Sequence, residues 1–174
     1  MLISEALAQA FSKQVGNEFG ASIQYVLVAS YFEREALPQL AAKFYSQAEE
    51  EQVHAMKIAH YVTEAGGLLE IPAIPAGKSN FASAEEAVRL ALDWELTVTR
   101  QINDLVGLAL KESDHLAQIF LQWFVNEQLE EVTGMDVLLR TVKRAGANLL
   151  LVEDFLARQG RSGHSGAAPA EARM

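Results

Sequence analysis

The chain has 174 residues and no cysteine, which bounds it to one domain with a substantial core and excludes disulfides, iron–sulfur clusters and thiolate zinc sites. Half the residues are hydrophobic and the formal net charge is −9. That charge fits simple solubility and an affinity for cations, and it argues against non-specific nucleic-acid binding. The start, Met1 to Phe11, carries Glu5 and no basic leader, and no apolar run approaches the ~20 residues of a membrane span. A cytoplasmic protein with no membrane or nucleic-acid partner is expected.

Ser4 predicts the N-cap of a first helix running to about Glu35. Phe11, Tyr25 and Phe32 fall at heptad spacing, widened by Leu7, Gln14, Ala21 and Val28, and Glu18 breaks the apolar rule midway. Leu37-Pro38 ends that helix, because proline disfavours the α region for the residue before it and suits a first turn itself. The second helix, about Pro38 to Ala65, stops at Gly66-Gly67. Its inward series are Phe44, Glu51, Ile58 and Leu40, Gln47, His54, Tyr61. Residues 67 to 82, with Pro72, Pro75 and Gly77, read as a long extended crossover rather than a hairpin turn. Ser83-Ala84-Glu85-Glu86 is a capping box opening a third helix to about Lys111, with the stripe Val88, Glu95, Ile102, Ala109. After a tight connection at residues 112–114, a fourth helix to about Arg144 carries Ala117, Phe124, Glu131, Leu138 and Leu121, Gln128, Met135, Val142. Gly146 interrupts it, and Asn148 precedes a short apolar fifth helix, Leu149 to about Arg158. From Gly160 the composition predicts a disordered tail in which His164 stands alone.

The polar breaks repeat. Glu18 and Glu51 lie 33 residues apart, as do Glu95 and Gln128; Glu18 and His54 lie 36 apart, as do Glu95 and Glu131. Each group is 15 to 18 residues from its hairpin turn, roughly 23 to 27 Å along a helix, so antiparallel pairing brings all of them to one depth. Taken singly, a carboxylate on an apolar stripe is most simply an edge residue, and a histidine a satisfied core group. Four helices breaking the stripe at one depth is another matter, since buried charge is prohibitive unless neutralised. Protonation would neutralise part of such a layer. A multivalent cation neutralises all of it and accounts for the imidazole. Carboxylates with one histidine and no thiolate suit Fe(II), Mn(II) or Zn(II) over copper. Glutamates from two helices with Glu-x-x-His from the others is the general pattern of di-iron carboxylate bundles. This chain keeps one such motif, Glu51 to His54, and has Gln128 and Glu131 at the equivalent pair.

Several stretches carry a family resemblance: Asn17-Glu18-Phe19, Leu37-Pro38-Gln39-Leu40, Phe44-Tyr45-Ser46-Gln47-Ala48, Glu50-Glu51-Gln52-Val53-His54-Ala55-Met56, Gln122-Trp123-Phe124-Val125-Asn126-Glu127-Gln128 and Arg144-Ala145-Gly146-Ala147-Asn148-Leu149. In them the chain, to about Arg158, resembles the non-haem bacterial ferritins of the ferritin-like diiron superfamily, in their actinobacterial type. The resemblance implies an all-α, ferritin-like four-helix bundle with a long crossover between the second and third helices and a short fifth C-terminal helix. Residues 1–159 would form the diiron domain and 160–174 the tail. It further implies a ferroxidase that oxidises Fe(II) with dioxygen or hydrogen peroxide and stores ferric mineral inside a homo-oligomeric 24-subunit shell. Glu18, Glu51 and His54 match the ligands of a first iron. Glu51 would bridge to a second, held also by Glu95 and Glu131. Gln128 matches a neighbouring or weak ligand, and Tyr25 the tyrosine beside the diiron centre, where a redox role and an aromatic core filler stand as equal readings. Glu50, Glu127 and Glu130, with Glu131, match a third iron site. Bacterioferritins have a methionine after the bridging glutamate to ligate haem; here that position is Gln52, so no haem is expected.

Three rivals stand beside this reading. One is another ferritin-like diiron oxidase or peroxidase, such as an oxygenase or a rubrerythrin type, though the rubredoxin module of the latter needs cysteines and there are none. Dps-type mini-ferritins lack the fifth helix and often carry basic tails. A chemically inactive structural shell subunit would have no need of Glu18, Glu51, His54, Glu95 and Glu131 together.

Overall fold

The computed structural model describes residues 2–164, with side chains to residue 159. Five helices follow one another: α1 (Glu5–Arg34), α2 (Pro38–Glu64), α3 (Ala84–Lys111), α4 (His115–Ala145) and α5 (Leu150–His164). Three of them start on a side chain that accepts an otherwise orphaned backbone N–H. Ser4 Oγ takes Leu7 N at 3.1 Å, Ser83 Oγ takes Glu86 N at 3.1 Å, and Asp114 Oδ1 takes Ala117 N at 2.9 Å. The box at Ser83 closes one residue early, because the Glu86 carboxylate accepts from Ala82 N at 2.6 Å. α2 begins on the apolar Leu37 and has no cap of its own. Glu153 of α5 supplies one, accepting from Gln39 N at 2.8 Å and Leu40 N at 2.9 Å.

α1 pairs with α2 and α3 with α4, α1 also packs on α3, and α5 lies against α2 and α4. Both hairpins turn in the same way. Ala36 and Ser113 each adopt a φ of 58°, and the following residue closes the turn, Leu37 N to Phe32 O and Asp114 N to Ala109 O, both at 2.9 Å. Ala36 and Ser113 are 77 residues apart, the same offset as Glu18 and Glu95, Glu51 and Gln128, and His54 and Glu131. The repeat in the polar residues is therefore a repeat of the whole hairpin.

Residues 67–82 have no helix or strand and run along α1. Ser12 Oγ accepts from Glu70 N at 3.1 Å, and Gln24 grips Lys78 from both sides, donating to its carbonyl at 2.9 Å and accepting from its N–H at 2.8 Å. A Cβ on Gly77 would come within 2.6 Å of Leu27 Cδ1 and 3.0 Å of Gln24 Oε1. A side chain there would have to push the Leu27 methyl aside.

α5 departs from the sequence expectation by running six residues past Arg158, through Gly160, to His164. One glycine weakens a helix by about 1 kcal/mol but removes no backbone donor, so it does not end one. Of the expected tail, residues 165–174 lie outside the described residues. None of the described helices is long and apolar enough to cross a membrane.

The core divides into two apolar clusters. One holds Tyr25, Phe32, Leu40, Phe44, Val88 and Leu138. The other holds Phe11, Ile58, Ile102, Leu105, Leu121 and Phe124. Along each long helix the apolar stripe passes from one cluster to the other through a polar interval: Glu18 in α1, Gln47 to His54 in α2, Glu95 in α3, Gln128 and Glu131 in α4. The functional layer lies at that seam.

Candidate metal centre

Glu18, Glu51, Glu95 and Glu131 are all buried, from 1% to 8% exposed, together with His54 and Gln128 at 5% each. The helical period accounts for this burial. Each residue occupies a core-facing place of a stripe whose other members are apolar, and antiparallel pairing sets them level.

Glu18, Glu51 and His54 converge, each offering a ligand atom within 4.8 Å of the others. The i, i+3 relation on α2 puts His54 Nδ1 3.4 Å from Glu51 Oε2. Glu18 Oε2 and Glu51 Oε1 are fully buried and accept no hydrogen bond, an expensive condition for a carboxylate oxygen unless something else occupies it. Burial pushes both carboxyls up. Glu18 stands well above its ordinary value, raised further by the Glu51 charge, and Glu51 is pushed up to about 8, with Glu95 adding to the effect.

Glu95 and Glu131 are arranged differently. Glu95 Oε1 accepts the Tyr25 hydroxyl and Oε2 accepts Gln128 Nε2 at 3.3 Å, so both of its oxygens have donors. Gln128 Nε2 also reaches the Glu95 carbonyl at 3.1 Å and Thr99 Oγ1 at 3.2 Å. Burial raises the Glu95 carboxyl, with these donors opposing. Burial and the Glu95 and Glu50 charges push Glu131 up to about 7. Tyr25, fully buried, is held well above an ordinary phenol by burial and then by Glu95. Its hydroxyl touches the polar layer while its ring packs 5.9 Å from Phe44.

Glu131 also borders a cavity of about 200 Å³ between α2 and α4, lined by Lys43, Gln47, Glu50, Glu127 and Glu130 among others. Glu50 and Glu130 are exposed and Glu127 half-buried. Glu127 lies nearer the centre than its expected grouping with Glu50 and Glu130 implies: it forms a second convergent set with His54 and Glu131, again within 4.8 Å.

Residues 8–145 match the family model of the ferritin-like domain. The chain belongs to the ferritin family. Ferritin BfrB of Mycolicibacterium smegmatis is 47% identical over 146 residues, covering 84% of this chain and 81% of that one. The bacterial non-heme ferritin of Staphylococcus aureus is 32% identical over 145 residues, covering 83% and 87%. Among solved structures, an open pore ferritin from the hyperthermophilic archaeon Archaeoglobus fulgidus superimposes with a TM-score of 0.86 at 31% identity, covering 89% of this chain and 96% of that one. The five-helix, all-α architecture is the ferritin fold, of a non-haem bacterial kind with mycobacterial relatives.

Sequence reasoning missed the neighbours that hold the acids of this ferritin in place. Gln14 Nε2 donates to Glu18 Oε1 at 2.8 Å, and Asn17 Nδ2 braces Gln14 Oε1 at 3.1 Å. Gln47 Nε2 donates to Glu131 Oε2 at 2.5 Å. The His54 ring is edged by Trp123 at 5.3 Å and Phe124 at 6.0 Å. The signal for two of them was present, since Gln14 precedes Glu18 by four residues and Gln47 precedes Glu51 by four, places that share a helix face. Lys43 was missed because it stands one turn outside the layer. Its charge nonetheless lowers both Glu95 and Glu131.

Proposed function

We propose that this ferritin oxidises Fe(II) to Fe(III) at a dinuclear centre inside the bundle and stores the product as a ferric mineral within a 24-subunit shell. The observation that carries the reading is the pair of buried, unpartnered carboxylate oxygens, Glu18 Oε2 and Glu51 Oε1, beside His54. Hard oxygen donors with one imidazole fit iron, and a cation is what such oxygens lack. Glu18, Glu51 and His54 bind the first Fe(II). Glu51 bridges to the second, which Glu95 and Glu131 complete once Glu95 gives up its bond from Tyr25 or Gln128. Glu50, Glu127 and Glu130, with Glu131, serve as an accessory station for a third ion. Gln52, which donates to Ser22 Oγ at 3.2 Å, has no thioether to offer, and the centre works without haem.

The two substrate ions together give up two electrons to dioxygen or hydrogen peroxide. The chain's part is to bind, orient and handle protons. Glu51 and Glu131 hold protons near neutrality when no cation is present and release them on binding. Tyr25 remains a phenol that donates to Glu95. Thr99, Gln128 and Gln47 aim the carboxylates.

Loading the apoprotein with Fe(II) anaerobically, then admitting air and following ferric absorbance in the near ultraviolet, tests the chemistry. Oxidation no faster than in buffer defeats it. A monomer or dimer on native size exclusion defeats the storage shell independently. Glu51→Ala is expected to slow oxidation more than Glu127→Ala, because Glu51 alone touches both primary ions; equal rates would remove the bridging role.

A further inference from the structure

The α2–α4 cavity already contains a cation. Lys43, Gln47 and Glu50 lie on one stripe of α2 at spacings of four and three, facing Glu127, Glu130 and Glu131 of α4 across about 200 Å³. The Lys43 ammonium donates to Gln47 Oε1 at 3.2 Å, and the same amide donates through Nε2 to Glu131 Oε2 at 2.5 Å. With its oxygen engaged by Lys43, Gln47 must turn its NH₂ toward Glu131, so the ammonium is held and aligned by the very residue that aims a carboxylate. Room remains around it, since a Cβ on Gly134 in the cavity wall would meet nothing within 4 Å.

We propose that Lys43 is a specificity-determining residue of this metal centre: its ammonium stands in the accessory cavity in place of a third metal ion, so that the subunit retains two divalent ions and holds a third only weakly. This rests on the two-ion reading of the centre and refines the accessory station beside it. An ammonium and a divalent cation sharing one small acidic cavity repel each other, and the Lys43 charge already offsets part of the acidity of the lining without pairing directly with a carboxylate. The influence of Lys43 on Glu95 and Glu131 shows that its field reaches the layer. A third ion would enter this cavity against the charge of the ammonium.

The test is equilibrium binding of Zn(II), which cannot be oxidised, to the assembled apoprotein, with the number and affinity of sites read by calorimetry. The wild type is expected to show two tight ions per subunit and one weaker. Lys43→Met, which keeps the aliphatic stem and removes the charge, is expected to tighten the third by about tenfold or more. Lys43→Arg, which keeps the charge, leaves it weak. Lys43→Gln gives the neutral readout again if the methionine variant folds poorly. A third affinity unchanged in both neutral variants overturns the proposal, as does a wild type that already binds three ions tightly, or an arginine variant that tightens like methionine. Loss of the two tight sites from the wild type itself would instead defeat the dinuclear reading.

Discussion

The acids in the seam are held differently: Glu95 has a donor at each oxygen, Glu131 accepts from Gln47, and Glu51 Oε1 accepts from none. Glu18 has Gln14 at Oε1 and nothing at Oε2. Gln14→Leu removes the amide hydrogen bond to Oε1 of that carboxylate, worth about 1.5–3 kcal/mol when the carboxylate is charged. The first metal ion is expected to bind about tenfold more weakly, read by anaerobic competition titration, with the fold intact by circular dichroism. The raised carboxyls have a pH consequence whose sign follows from their direction. In the unfolded chain Glu51 and Glu131 lose their protons near 4.5, and in the folded metal-free protein only near 8 and 7. Between these values the folded state binds more protons, so the stability of the metal-free protein falls as pH rises from about 4.5 to about 8 and levels above that. Thermal melts across that window should show the decline, and a metal-free protein more stable at pH 8 than at pH 5.5 would contradict it. For the same reason divalent-ion binding near pH 6 should release protons from the raised carboxyls Glu18, Glu51 and Glu131, visible as a buffer-dependent calorimetric enthalpy. The acids themselves could be read from the chain because they break an apolar period. Their donors carried only the weak signal of shared helix-face spacing at Gln14 and Gln47, because a glutamine on the stripe looks like one more polar break until its amide is seen to face a carboxylate.

At the scale of elements, helix ends were legible from caps and stops: Ser4 and Ser83 open helices, and Gly66, with a φ of 79°, closes α2, whereas Asp114, read only as part of a tight connection, proves to cap α4. α2 was the exception, since nothing next to Leu37 in sequence caps it. Its cap comes from Glu153, more than a hundred residues on, a pairing that local patterning has no way to register. That carboxylate at a helix N-terminus also meets the positive end of the α2 dipole. Glu153→Ala is expected to cost about 1 kcal/mol and lower Tm by about 2–4 °C, while Glu153→Asp recovers part of the loss. An unchanged melting curve for the alanine variant would show that the cap carries no weight. The end of α5 was misjudged for the opposite reason: Gly160 and its small neighbours read as coil by composition, whereas the backbone ladder continues to His164.

At the scale of the molecule, α5 shows a face that the single chain leaves uncovered. Val152 is fully buried and Leu149 and Leu156 pack on the bundle, but Leu150 is 70% and Leu151 59% exposed. Apolar side chains of that size on one helix fit a contact with other copies in the proposed shell. Leu151→Glu is therefore expected to shift native size exclusion from the large shell toward smaller species while the helical content of the subunit stays the same; a shell of unaltered size would remove α5 from the assembly contacts. The amino-acid sequence by itself determined the helices, the crossover and the common depth of Glu18, Glu51, His54, Glu95 and Glu131, because helical period and hairpin spacing are local geometry that repeats at an offset of 77 residues. Only the tertiary structure decided which carboxylate oxygens are free and which are already bonded, that Lys43 shares the cavity with Glu131, and that Glu153 completes α2. Those are contacts between helices far apart in the chain, and they depend on rotamers and inter-helix distances that no single helix specifies.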